Sequence, residues 1–158
     1  GMTWEAAAGV GGKVLQVVQA TTTTANTNGD DTFTDTALSA SITPSASNST
    51  ILILTNQLGS LANTNQYTTR IGQIRLVRGS TAIHRIEAKH TGDGQNGAQR
   101  VPFSANMVFK DSPSTTNATT YNIGVKNAIG GTVTCIINGR KNGSNSGSST
   151  ITIMEIAG

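Results

Sequence analysis

The sequence predicts an all-β domain, a jelly-roll β-sandwich of about 8–10 antiparallel strands. Three observations predict it. Ile, Leu and Val recur in compact blocks of strand length, separated by Gly, Asn, Ser and Pro turn signals. No block carries a helical period. A polar turn, Thr43 to Ser49, opens onto Ile51-Leu-Ile-Leu54, the most apolar run in the chain. Pro44 fixes φ there, and the Ser and Asn side chains of the turn can bond back to their own backbone.

At 158 residues the chain is the size of one domain, long enough for a single core. Residues 1–12 are expected to form an N-terminal arm, with Gly1 ahead of Met2 read as a cloning scar, and residues 13–158 one sandwich domain. Charged residues make up 12% and aromatics 4% of the chain, while Thr, Ser and Asn are abundant, which suits strands with polar loops. The net charge of +3 comes from 11 basic residues spread along the chain, with no basic cluster interleaved with aromatics. That pattern argues against a nucleic-acid partner. No run approaches the roughly 18 apolar residues of a helical membrane span, and no charged segment leads into a leader-like apolar one. Cys135 stands alone inside a strand pattern, where a buried free thiol packs as a small hydrophobe, and an intrachain disulfide has no second cysteine.

Taken in order, Lys13 to Ala20 reads as the first strand and Thr21 to Thr32 as a polar loop with Asn28-Gly29 turn chemistry. Phe33 to Ala40 alternates loosely as a short or edge strand. Ile51 to Leu58 reads as a strand buried on both faces, because an uninterrupted aliphatic run leaves no polar side for solvent. Gly59 to Thr68 is then a loop. In Arg70 to Arg78, Ile71 and Val77 fall out of step with Ile74 and Leu76, which predicts a bulge near Gly72 or partial burial on both faces. Gly79-Ser80 turns into Thr81 to Ile86, a hairpin. Glu87 to Arg100 reads as a polar loop. Val101, Phe103, Ala105 and Met107 share one face of the next strand, Tyr121, Ile123 and Val125 face inward on another, and Thr132 to Asn138 follows. Gly139 to Ser149 is a flexible tip, and the last strand buries Ile151, Ile153 and Ile156.

No catalytic constellation emerges. Gly143-Ser-Asn-Ser-Gly147 lacks the central serine of a nucleophile elbow, and Gly9 to Lys13 lacks P-loop spacing. His84 and His90 on one continuous strand would share a face about 20 Å apart, too far for one metal. The chain is therefore expected not to be an enzyme and to carry no cofactor. Asp30, Asp31 and Asp35 form the single acidic cluster; with Asn26 and Asn28 they could begin a hard-cation site, and solvated turn carboxylates are the alternative. Arg70, Arg75, Arg78, Arg85 and Glu87 lie in or beside strands. One solvated sheet face explains them, as does a subunit interface in which they pair across a symmetry axis. Trp4 could anchor the arm on a neighbouring subunit.

Gly12 to Ala20, Leu38 to Ser45 with Ile51 to Leu54, and Ser149 to Ala157, joined by Gln73 to Ser80 and Asp111 to Thr115, resemble a virion structural domain of tailed bacteriophages, of the marine tail-fibre or knob type. The resemblance implies a jelly roll similar to C1q and tumour necrosis factor heads, assembled as a homotrimer with other virion proteins. It also implies loops that contact a host-surface glycan or protein, with no membrane insertion. Candidate contacts are Lys89, His90, Asp93, Gln95, Asn96 and Arg100 in one loop and Arg140, Lys141 and Asn142 in another. A capsid decoration protein and a monomeric carbohydrate-binding module are the competing readings. Against the latter, Trp4, Tyr67 and Tyr121 are widely separated in sequence.

Overall fold

A computed structural model describes residues 12–63, 69–91, 100–129, 133–139 and 147–158. Ten strands run in chain order: β1 (Val14–Thr22), β2 (Asn26–Asn28), β3 (Thr34–Ile42), β4 (Thr50–Asn63), β5 (Thr69–Arg78), β6 (Thr81–Thr91), β7 (Arg100–Asp111), β8 (Thr119–Asn127), β9 (Val133–Ile137) and β10 (Ser149–Ile156). They form two antiparallel sheets. One has the order β1-β10-β4-β9-β2 with β7 on the free side of β4, and the other the order β3-β8-β5-β6.

The register reduces the larger sheet to four lanes. Thr50 to Asn56 of β4 pair with β10, and Gly59 to Asn63 of the same strand pair with β9. β9 and β10 thus lie end to end along one side of β4, as β2 and β1 do along β9 and β10. First pairs with last (β1 with β10), β3 with β8, β4 with β7 and β5 with β6. That nested pairing of four lanes over four is a jelly roll, and it bears out the fold class expected from the sequence.

The two interrupted lanes break at the same level, and Asn138 holds the break. It has φ of 53°, in the left-handed region that Asn tolerates. Its backbone N–H donates to the Leu58 carbonyl at 2.9 Å and its side-chain amide to the Thr22 carbonyl at 3.0 Å. The Ser149 hydroxyl, where the lane resumes, donates to Asn138 Oδ1 at 2.7 Å. The Leu58 N–H in turn donates to Ser149 Oγ at 3.2 Å, so the Leu58 and Thr22 groups beside the break are paired, as burial requires.

The core forms where the inner faces meet. Ile51, Ile53, Ile151 and Ile153 of the larger sheet pack with Leu38, Ile74, Leu76, Tyr121, Ile123 and Val125 of the smaller, all buried. The expected inward positions of β7 and β8 hold, with Ala105, Met107, Tyr121, Ile123 and Val125 buried and Phe103 packed against the cluster. Cys135 is a buried free thiol, as the strand pattern implies. Its pKa is pushed up to about 12 by burial.

Several expectations need correction. Strands run further than their apolar blocks: β4 continues through Asn63 and β6 through Thr91, and β2 lies inside the expected Thr21 to Thr32 loop. Backbone pairing carries a strand past the residues that bury it. Register along β5 and β6 is regular through Gly72 and shifts between Leu76 and Val77, so of the two expectations for β5 the bulge near Gly72 fails and partial burial on both faces holds, with Ile71, Gln73 and Arg75 half-buried. Gly72 faces inward, where a Cβ would meet Leu61 at 2.8 Å. In the last strand the inward set is Ile151, Ile153 and Glu155, while Ile156 is half-buried. Strict alternation puts Ile156 on the opposite face from Ile153. Finally, β4 is not buried on both faces. Ile51, Ile53, Thr55 and Gln57 point in, while Leu52 and Leu54 are half-buried and Leu58 is 38% exposed.

Candidate functional site

The outer faces of the two sheets differ sharply in chemistry. On the larger sheet the register aligns Val17, Met154, Leu52 and Lys110 in one row, Gln19, Thr152, Leu54 and Val108 in the next, and Thr21, Thr150, Asn56 and Asn106 in a third. Lys110 is the one charge in these rows. Val17 is 56% and Val108 69% exposed, and Val14, Leu15 and Leu58 extend the apolar surface at its margins. Four lanes at about 4.8 Å and eight residues at about 3.3 Å give a face of about 15 by 25 Å.

The smaller sheet carries the charges. Arg75 and Arg85 are direct cross-strand partners in β5 and β6, with Asp35, Lys126 and Glu87 alongside. Phe33, at the entrance to β3, lies among them: the guanidinium of Arg75 is 4.5 Å from its ring centroid, that of Arg85 5.1 Å and the Lys126 ammonium 5.3 Å. Asp35 pairs with Arg75 at 3.3 Å and Asp31 with Lys126 at 2.6 Å. Gly124 makes room, since a Cβ there would stand 2.7 Å from Arg75 Nε.

Of the acidic cluster, Asp31 and Asp35 therefore turn to different cations, and the Asp30 backbone N–H closes a turn on Asn28 Oδ1 at 2.7 Å. No group of three potential metal ligands converges among the described residues. The strand arginines also separate. Arg70 is 3% exposed on the inner side of β5. Arg78 donates to both Asp111 oxygens, at 2.9 and 3.0 Å, so that its carboxylate partner lies within the chain. Arg75, Arg85 and Glu87 remain on the outer face, where Glu87 accepts from Gln73 Nε2 at 2.5 Å.

Lys89 and His90 lie on β6, beside a cleft of about 570 Å³ between β6 and β7 floored by Leu61, Ala88, Phe103 and Ala105. His84, on the same strand, stacks on Phe109 with centroids 5.0 Å apart. Arg100 opens β7 and is turned into the fold: its Nε donates to Ser60 Oγ at 2.6 Å and its guanidinium to the Gly139 carbonyl. Trp4, Tyr67, Asp93, Gln95, Asn96, Arg140, Lys141 and Asn142 lie outside the described residues.

Two polar groups escaped the sequence reading. Glu155 is fully buried. Its Oε1 accepts from the Ser45 N–H, the Ser45 hydroxyl and the Ser49 hydroxyl, each at 2.7 Å, and its Oε2 from Gln16 Nε2 at 2.6 Å. Burial pushes its pKa up, but the donors from Ser45, Gln16 and Ser49 outweigh that and hold it down at about 2. The turn after β3 is thereby clamped to the last strand. In the same row of the larger sheet, on the other side of Ile51 from Glu155, Asp111 Oδ2 accepts from the buried Tyr121 hydroxyl at 2.7 Å; burial, and then that hydrogen bond, push the Tyr121 pKa up. Sequence spacing gives no sign of either, because the partners are brought together by register alone.

Fold and faces together define a jelly-roll β-sandwich whose larger sheet has an almost uncharged outer face with an apolar patch, and whose smaller sheet has a charged one. No protein-family model and no curated protein matches the chain. Among solved structures it is similar to the VP2 protein of infectious bursal disease virus in T=1 particles, with a TM-score of 0.38 and 12% identity over 90% of this chain and 36% of that one. It is also similar to the structure of the Gt strain of infectious bursal disease virus, with a TM-score of 0.35 and 11% identity over 91% of this chain and 41% of that one. The chain spans about two-fifths of the length of those proteins.

Proposed function

We propose that the chain is a non-enzymatic virion structural module of the tail-fibre or knob type. It assembles with copies of itself, as a homotrimer, through the outer face of the larger sheet, and it turns the charged sheet and the loops toward the host surface. The observation that carries this reading is the mismatch in β4. Ile51-Leu-Ile-Leu54 has the composition of a strand buried on both faces, yet Leu52 and Leu54 lie on an outer face where Val17 and Val108 are mostly exposed. The apolar patch of Val17, Leu52, Leu54, Val108 and Met154 is no larger than the largest patch on a typical monomer, which is often functional, and a standard contact of about 800 Å² per partner takes in the polar rows beside it as well. The subunit contact then lies on the sheet opposite Arg75 and Arg85. The setting in a virion comes from the resemblance of the framework strands to tailed-phage domains.

Light scattering after size exclusion tests it. The chain is expected to elute at about three times 16.2 kDa, and Val108→Asp, which sets a charge on the edge lane of the face at its most exposed apolar position without touching the core, is expected to reduce it to a monomer. A wild-type chain that stays monomeric at all concentrations overturns the reading in favour of a carbohydrate-binding module. A monomer that binds empty capsids and not cells points to a decoration protein.

A further inference from the structure

We infer that the cluster around Phe33 on the smaller sheet is a binding site for the carboxylate of an acidic saccharide. Arg75 and Arg85 stand directly opposite one another across β5 and β6, a like-charge pairing that costs stability unless something lies between them. With Lys126 they crowd one aromatic ring, each within 5.3 Å of its centroid, so all three cations lie within about one Debye length, about 10 Å, of each other. Asp35 answers Arg75 and Asp31 answers Lys126. Arg85 has no carboxylate partner among the described residues; its guanidinium reaches the neutral Gln73 Oε1 at 3.5 Å. An exposed guanidinium with open donors, beside a second one and an aromatic ring, matches the fork geometry that recognises a carboxylate.

The surroundings choose the ligand class. Asp31, Asp35, Glu87 and Gln73 ring the cluster with acceptors. A nucleic acid would bring a phosphate about every 1.7 Å of duplex against those carboxylates. A sugar with one acid group per ring sets a single anion on Arg85 and donates its hydroxyls to the carboxylates around it. Because the site is on the outer face of the smaller sheet, away from the apolar patch on the larger one, it does not depend on the assembly proposed above.

The test is calorimetric titration with oligogalacturonate, a neutral oligosaccharide of equal length and duplex DNA, on the wild-type chain and on Val108→Asp. Oligogalacturonate is expected to bind both proteins, so that failure of assembly and failure of this site are told apart. Arg85→Gln, at an exposed position, is expected to weaken binding about tenfold to a hundredfold, the worth of a charge-assisted hydrogen bond, and Arg85→Lys to restore part of it. Unchanged affinity in Arg85→Gln, equal binding of the neutral sugar, a preference for DNA, or no binding of oligogalacturonate by either protein each overturns the inference.

Discussion

Replacing Glu155 by Gln keeps the shape of the side chain and removes its charge. In the folded chain the carboxyl is held at about 2, against 4.5 for a free side chain. At about 1.4 kcal/mol per pH unit, that difference corresponds to about 3 kcal/mol of stability. A carboxyl whose folded value is depressed contributes in full above its unfolded value and loses the contribution as pH falls through the folded one. The stabilisation is therefore present above about pH 5 and drains away between about 4.5 and 2. In Glu155→Gln the amide oxygen can still accept from Ser45 and Ser49, but its NH₂ faces the Gln16 amide that now donates to Oε2. Urea unfolding at fixed protein concentration is expected to place the variant about 2–3 kcal/mol below the wild type at pH 7, a lowering of the melting point by about 5–10 °C. The gap should close as pH falls toward 2. Parallel pH profiles for the two proteins, or equal stability at pH 7, would refute the clamp.

Tyr121→Phe removes the hydroxyl that donates to the largely buried Asp111 and should cost about 1–3 kcal/mol in the same unfolding assay. In the wild type the Tyr121 phenol, whose pKa is raised by burial and by Asp111, should show no phenolate absorbance at pH 11 while the protein stays folded. Cys135, with its thiol pushed up to about 12, should resist iodoacetamide at pH 8 in the native protein and react once it is unfolded, as read by mass spectrometry.

The strands and their inward positions were legible in the sequence because alternation is local. Ile123 and Val125 point inward wherever β8 is placed, and the same holds for Ala105 and Met107 on β7. What could not be read locally was set by register across the sandwich. Glu155 looks like the polar side of a strand until Ser45 and Ser49, more than a hundred residues away, arrive at its carboxylate. Phe33 reads as the start of a strand, and its three cations come from β5, β6 and β8. The aliphatic run in β4 signalled two buried faces, and the chain supplies a cover for one. Arg70 and Arg78 were grouped with Arg75 and Arg85 by sequence, whereas alternation turns Arg70 inward and the end of β5 hands Arg78 to Asp111.

The lane formed by β9 and β10 leaves the sheet at Asn138 and rejoins it at Ser149, and the two residues are bonded to each other. The exit and re-entry are thus fastened together before anything between them is specified. Closing a flexible loop costs only about 0.6 kcal/mol more for each doubling of its length. A change in the number of residues between Gly139 and Gly147, whose own places are fixed by Arg100, Ala25 and Leu58, therefore adds little to the cost of closing the lane. For an engineer the bonded pair is a position at which to insert a foreign peptide for display.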